Sequence, residues 1–283
     1  MSGPRPAAVT TIDCFGLTDV GRIRDTNEDQ FVIASMRKTV EIAHTSLPGG
    51  GMADRLEGPS AWLFAVADGV GGRPGGEVAS SAAVASLVEY LAHATGCFQR
   101  FDVDQEHEFL ERLEQGVHQV HERLVSEHGG SERAPATTLT LAMLVGERAY
   151  LIHVGDSRAY YLRRGRIRQI TRDQTIGEYM VDVGAWTEEQ AARAAAAASL
   201  TSVVGGAEMA PAVGLIDLEP GDTLLLCTDG LTRHLSDADI AAVLARASNA
   251  DSACRELVDG ALAAGGSDNV TVVVARMAPP KSP

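Results

Sequence analysis

Residues 62–80 read WLFAVADGVGGRPGGEVAS: an apolar run that stops on Asp68-Gly69 and passes through a glycine-rich turn. Two kinds of fold contain such a passage. A dinucleotide-binding βαβ unit needs G-x-G-x-x-G, each glycine placed so that a pyrophosphate can approach the helix start. Counted from Gly69, the frame gives Gly69, Gly71 and then Pro74 where the third glycine belongs. That fingerprint also has no task for a carboxylate at Asp68. The other reading is a buried strand that delivers a carboxylate to the edge of a sheet.

The same context recurs along the chain. Asp156 ends AYLIHVGD, Asp229 ends TLLLCTD, and Asp268 opens the final strand-like run after Gly265, Gly266 and Ser267. A carboxylate at the end of an apolar run is costly to desolvate unless it is paired or bound to a metal. Asp-Gly also ends many strands as a plain turn, so each site taken singly has a bland reading. Asp259-Gly260, inside ELVDGALAAGG with no strand before it, serves as an internal control and is expected to be inert. Recurrence at strand ends carries the case. Aspartates without convergent His or Cys suit hard cations, Mg²⁺ or Mn²⁺. Two such ions about 4 Å apart form a clamp for displacement at phosphorus. The eight histidines form no metal-binding pair, and His118 and His121 read as solvated helix residues.

Composition narrows the classes. The chain has 283 residues, 45% hydrophobic and 22% charged, with a net charge of -14. General nucleic-acid binding needs a basic footprint and is not expected. A phosphorylated substrate would be repelled unless cations or local arginines reverse the field at the site. The apolar runs are too short to cross a bilayer, so no membrane partner is expected. Cys14, Cys97, Cys227 and Cys254 lack C-x-x-C spacing, which suggests neither zinc nor disulfides and fits the cytoplasm.

No fixed repeat or linker divides the chain. Residues 1–11 read as a flexible lead-in and 278–283 as a tail, with one domain over 12–277. QFVIAS and WLFAVAD read as strands joined by an elongated hairpin connection, and the glycine-rich insertion at 36–60 is expected to be a disordered hairpin tip rather than a recognition element. Two helices follow, then the strands TTLTLAMLV, AYLIHVGDS, AYYLRRGRIRQI and TLLLCTDG. The block TIGEYMVDVGAWTEEQAARAAAAAS reads as helical, alanine run included, with a capping box at Thr187 and Gln190. Two more helices and the strand DNVTVVVARM complete the chain. Helices in pairs and strands in meander-like blocks give an α+β class. The expected architecture is a central β-sandwich of two antiparallel sheets flanked by helices on both sides, four layers in all.

TDVGRIRDTNEDQF at 18–31 is the other dense stretch. Its residues read equally as a charged turn or as a phosphate grip by Arg24 with metal contacts from Glu28 and Asp29. With this motif in place the chain resembles the type 2C metal-dependent Ser/Thr protein phosphatases in their bacterial form. The similarity is carried by TDVGRIRDTNED, FAVADGVGG, HVGDSRAYYLRRG, LLLCTDGLT and GSDNVTVVV, in family order over nearly the whole chain.

The resemblance implies hydrolysis of phosphoserine and phosphothreonine by in-line attack of a metal-bridging hydroxide. It implies two Mg²⁺ or Mn²⁺ ions held by Asp68, the Gly69 carbonyl, Asp229 and Asp268, with Glu28 acting through a water and Asp29 in support. Asp156, shared with Asp229, would help hold a third, weaker ion, and Arg24 would hold the substrate phosphate. Residues 174–199 match a mobile flap beside the cleft. The implied partners are phosphorylated proteins and a cognate Ser/Thr kinase, with the enzyme a monomer. A phosphoprotein-binding pseudophosphatase and a nucleotide or small-molecule phosphohydrolase remain alternatives on the same fold. Three departures stand out: Val70 where many members carry histidine, Arg233 where an acidic residue is frequent, and Gln174 where histidine is frequent. The second places a cation beside Asp229; the third leaves the flap anchor open.

Overall fold

The structure, a computed structural model, describes residues 12–41, 55–70, 75–94, 103–127 and 134–278. The lead-in at 1–11, Gly71, Pro74, Cys97 and the last five residues of the expected tail lie outside them. Ten strands and seven helices are formed by the described residues. One sheet has the order β1 (Ile12–Asp19), β10 (Val270–Met277), β9 (Thr223–Cys227), β6 (Arg158–Arg163), β7 (Arg166–Gln169). The other runs β2 (Asp29–Glu41), β3 (Arg55–Asp68), β4 (Leu139–Val145), β5 (Arg148–Val154), β8 (Ala212–Asp217). Every pairing is antiparallel.

The expected four layers are present, and burial shows why. In α2 (Val103–Glu127), Phe109, Leu113, Val117, Val120 and Leu124 follow helical spacing and are all buried. They cover the outer face of the β2–β8 sheet together with Leu87 and Leu91 of α1 (Gly76–Ala94). On the opposite side, α6 (Asp237–Arg246) and α7 (Ala250–Ala263) press Ile240, Leu244 and Leu257 onto Leu225, Val272 and Val274. Between the sheets lie Phe64, Val66, Leu144, Leu151, Leu226 and Val273. Strand β4 is buried at all seven positions, as expected for a strand covered on both faces.

Several local expectations are corrected. The insertion is not a loop throughout: β2 and β3 stay paired as far as Glu41 opposite Arg55, with an irregularity between Arg37 and Thr39. Its tip, 42–54, lies outside the described residues. AYYLRRGRIRQI is a hairpin rather than one strand, turning at Arg164 and Gly165, whose φ angles are 51° and 76°. Positive φ at both central turn residues matches the twist of tight hairpins, although for arginine it costs about 1–2 kcal/mol. Strand β8 was not foreseen, because AVGLID is an edge strand with Val213 and Leu215 each 42% exposed.

The expected helical block breaks into α3 (Ile176–Asp182) and α4 (Glu188–Arg193) around Gly184. The capping box of Thr187 and Gln190 forms. The alanine run does not continue the helix. Ala194 turns extended, and Ala197 and Ser199 return to accept hydrogen bonds from the Gly177 and Ile176 backbones.

Candidate active site

Strand β3 ends on Asp68, and its backbone is clamped there. The Asp68 carbonyl accepts from the Thr138 N–H and the Thr137 hydroxyl, both at 2.9 Å. The Asp68 N–H donates to the Thr138 hydroxyl at 3.0 Å, and that oxygen is 2.7 Å from Ser157 Oγ. Asp29 begins β2 directly opposite Asp68 in the ladder. The turn that follows needs glycine for space: a β-carbon at Gly69 would stand 2.5 Å from the Gly76 carbonyl where α1 starts. The Gly69 N–H donates to the Glu28 carbonyl at 3.1 Å, joining the two acidic motifs through the backbone.

Asp229 opens the short helix α5 (Asp229–Thr232) at the end of β9. The preceding Thr228 spends its hydroxyl on Asp29 Oδ2, at 2.8 Å, and on the Thr271 N–H, at 3.0 Å. A β-carbon at Gly230 would lie 1.9 Å from the Asn269 carbonyl oxygen. That close approach holds Asp229 and Asp268 at neighbouring strand ends.

Asn269 ties the N-terminal motif into place. Its Oδ1 accepts from the Glu28 N–H at 2.8 Å, and its Nδ2 donates to the Val20 and Thr26 carbonyls, each at 2.9 Å. Sequence reading missed Asn269, Thr138 and Thr228 as positioning residues. Their work is done by hydrogen bonds to backbone groups and to neighbouring polar side chains, and in the sequence they look like ordinary turn and strand residues.

Arg24, Glu28, Asp68, Gly69, Asp156, Asp229 and Asp268 all line one cavity of about 610 Å³. Of the expected site residues, Asp29 alone is not among its lining: it is 1% exposed and sits behind Asp68, held by Thr228. The returning alanine run contributes Ala198, followed by Ser199 and Leu200, to the wall. Two arginines stand among the carboxylates. Arg24 binds Asp268 through Nε at 2.8 Å and Nη2 at 3.0 Å. Arg233 pairs with Asp229 and also reaches Asp268 Oδ2 at 3.1 Å.

Burial shifts this cluster strongly. The Asp29 carboxyl is pushed up to about 7 by burial, against the pull of hydrogen bonds from Thr271 and Thr228. Asp156 is pushed up to about 7 by burial and the negative charges of Asp229 and Asp173. Asp68 is raised well above the carboxylate range by burial and then by its aspartate neighbours, Asp29 first. Burial raises Asp229 as well, with Arg233 pulling the other way. Like charges this close resist joint ionisation until a counter-charge arrives.

Among the described residues, no three His, Cys, Asp or Glu side chains are already closed up as a metal cage. The chemistry of the donors nevertheless fits hard divalent ions. Asp29 Oδ1 and Asp229 Oδ1 are buried without any hydrogen-bond donor, a costly state for an anionic oxygen that a cation would relieve.

Gln174, where the resemblance leads one to expect histidine, uses both ends of its amide. Gln174 Oε1 accepts from the Gly155 N–H at 2.9 Å, and its Nε2 donates to the Ala210 carbonyl at 2.8 Å. This fastens the root of α3 to the turn that carries Asp156. Of the two helical histidines, His118 is exposed as expected. His121 is half-buried, and its Nδ1 accepts from the Gly205 N–H at 3.1 Å. The control Asp259 lies exposed on α7, away from the cavity. Cys14, Cys227 and Cys254 are free thiols.

A family model of protein phosphatase 2C matches residues 53–273, well over half of the chain. This chain belongs to the protein phosphatase 2C family. The serine/threonine protein phosphatase PstP of Mycobacterium tuberculosis is 37% identical over 215 residues, covering 75% of this chain and 40% of PstP. The chain thus spans less than half the length of that relative. A solved serine/threonine phosphatase from S. agalactiae superposes with a TM-score of 0.76 at 28% identity, covering 94% of this chain and 100% of that one. The catalytic domain of PstP, solved with two manganese ions, gives a TM-score of 0.71 at 30% identity, covering 95% and 99% of the two chains. These protein phosphatase 2C relatives share the helix-flanked sandwich described above. Among the described residues, no helix is long and apolar enough to cross a membrane.

Proposed function

We propose that residues 12–277 form one catalytic unit that removes phosphate from phosphoserine and phosphothreonine in proteins, opposing a Ser/Thr kinase in the cytoplasm. One observation carries the reading. Carboxylates from separate strand ends meet at one cavity, and two of the oxygens gathered there or just behind it, on Asp229 and Asp29, are buried without a donor. The relatives support the same class of substrate, and the PstP domain with two manganese ions supports a divalent cofactor.

Asp68, the Gly69 carbonyl, Asp229 and Asp268 would hold two Mg²⁺ or Mn²⁺ ions, with Glu28 contributing through water and Asp29 from behind. Asp156 with Asp229 would hold a third, weaker ion. When bound, such ions supply positive charge and activate water for attack at phosphorus. The chain's own part is positioning and charge. Arg24, 39% exposed, faces the cavity and can turn its planar fork from Asp268 to two phosphate oxygens. Val70 and Leu200 give apolar stretches of wall, and among the described residues no histidine lines the cavity. No side chain is therefore assigned as proton donor to the leaving serine or threonine.

The test is a substrate panel: phosphoserine, phosphothreonine and phosphotyrosine peptides against ATP, each with Mn²⁺, Mg²⁺ or chelator. Metal-dependent release from the serine and threonine peptides is expected. Turnover that survives chelation, or faster hydrolysis of ATP than of any peptide, would overturn the proposal. Arg24→Ala should raise KM with little change in kcat, the pattern of lost uniform binding.

A further inference from the structure

We propose that one face and the free edge of the β6–β7 hairpin form a docking site, remote from the carboxylate cavity, for an extended acidic protein segment. The hairpin is basic in a chain whose net charge is -14. Register places Tyr161 opposite Arg168 and Arg163 opposite Arg166, so these four side chains share one face. Leu162 points the other way, into the core beneath α6, and Ile167 packs against that core, while half-buried Tyr161 rests against the core between the sheets. The Arg163 guanidinium lies 5.3 Å from the centre of the Tyr161 ring, and Arg164 sits at the turn. With Ile167, these residues line a hollow of about 660 Å³.

The turn itself is unusual. Arg164 is the one non-glycine residue with positive φ among the described residues. Asparagine or glycine enters that conformation more readily, yet the position carries a cation. Arg163 is paired with Asp222 and Glu219, and Arg164 with Glu219. Arg166 and Arg168 are exposed and enter no ion pair among the described residues.

Two features select a protein segment over other polyanions. Strand β7 is the last in its sheet, so among the described residues its outer backbone groups have no strand partner. An extended peptide can add there by backbone pairing, which neither a lipid surface nor a nucleic acid can match. Glu219 and Asp222 also border the arginines, which limits the basic ground to a narrow strip, while the acidic remainder repels a broad anionic surface. The site is distant from the cavity. Strand β6 runs from Arg158 to Arg163, and steps of about 3.3 Å place Tyr161 with its partner Arg168 roughly 10 Å, and Arg163 with Arg166 roughly 17 Å, along the strand from Arg158. The β7 strand then returns toward the root of the flap, so a docked segment would run along the path to the cavity.

Fluorescence anisotropy with a labelled nine-residue peptide of alternating Glu and Val, in chelator, tests this. The expected result is salt-sensitive binding that weakens at least tenfold in Arg166→Glu/Arg168→Glu and on N-methylation of alternate peptide amides. Turnover of p-nitrophenyl phosphate by the double variant should stay at the wild-type rate. Equal affinity for wild type and double variant would overturn the proposal. So would tighter binding to phosphatidylserine vesicles or to single-stranded DNA than to the peptide, or indifference to N-methylation. Docking is read without turnover, so its failure and failure of the phosphatase reading are separate observations.

Discussion

Arg233 is the second cation, beside Arg24, among the carboxylates of this cavity. It holds Asp229 and Asp268 together, two residues proposed to receive divalent ions, so an incoming ion must displace it. Its side chain is 48% exposed, and such a pair is worth about 1 kcal/mol after solvent screening. Arg233→Ala should therefore bind Mn²⁺ about fivefold more tightly in a calorimetric titration. Unchanged or weaker binding would show that Arg233 is no competitor. Asp68 sets the opposite balance. Its carboxyl is raised by burial and by four neighbouring aspartates, so ionising it in the metal-free protein costs stability. Asp68→Asn should abolish turnover yet melt, in chelator at neutral pH, no lower than wild type. A large fall in melting temperature would mean that the carboxylate is needed for folding instead.

At the scale of elements, the loop at residues 20–28 owes its shape to one amide. Asn269 makes three hydrogen bonds to that loop while only 5% exposed. Asn269→Ala would strand buried backbone groups and should cost about 3 kcal/mol, at roughly 1 kcal/mol per bond. Because the loop carries Arg24 and Glu28, kcat/KM should fall with it, and denaturant melts beside kinetics would separate the two effects. Strands with apolar runs and helices with regular spacing were legible from the sequence because burial imposes a period, as in α2 and β4. The aspartates were legible because a carboxylate at the end of such a run is out of place. Edge and turn elements were harder. Strand β8 is half-exposed, the β6–β7 turn uses arginine where asparagine is usual, and the alanine run has high helix propensity that packing against Gly177 overrides.

For the whole molecule, the carboxylate cluster links stability to pH. Asp29 and Asp156 titrate near 7 in the folded protein and near 3.9 when unfolded. Between those limits the folded state holds more protons, so stability falls as pH rises from about 4 to about 7. His121 and His153, lowered by burial, act in the other direction below about 6.5. The comparison of slopes isolates the carboxylates: in chelator, Asp156→Asn should lose less melting temperature than wild type between pH 5 and 7.5. Saturating Mn²⁺ should remove most of the wild-type loss, and a wild-type slope no steeper than the variant's would contradict the assignment.

Strands β1 and β10 lie side by side along their full length, with Ile12 opposite Met277 and Asp19 opposite Val270. Asp268 and Arg24 sit beyond the second pair, so Ile12 and Met277 meet at the end of the sandwich away from the cavity. A few residues of glycine and serine could splice those two positions, and the chain could be reopened at Gly146, where a side chain would meet nothing within 4 Å. Such a circularly permuted protein should keep the proposed phosphatase activity, because the splice and the new opening both leave every cavity-lining residue in its native surroundings.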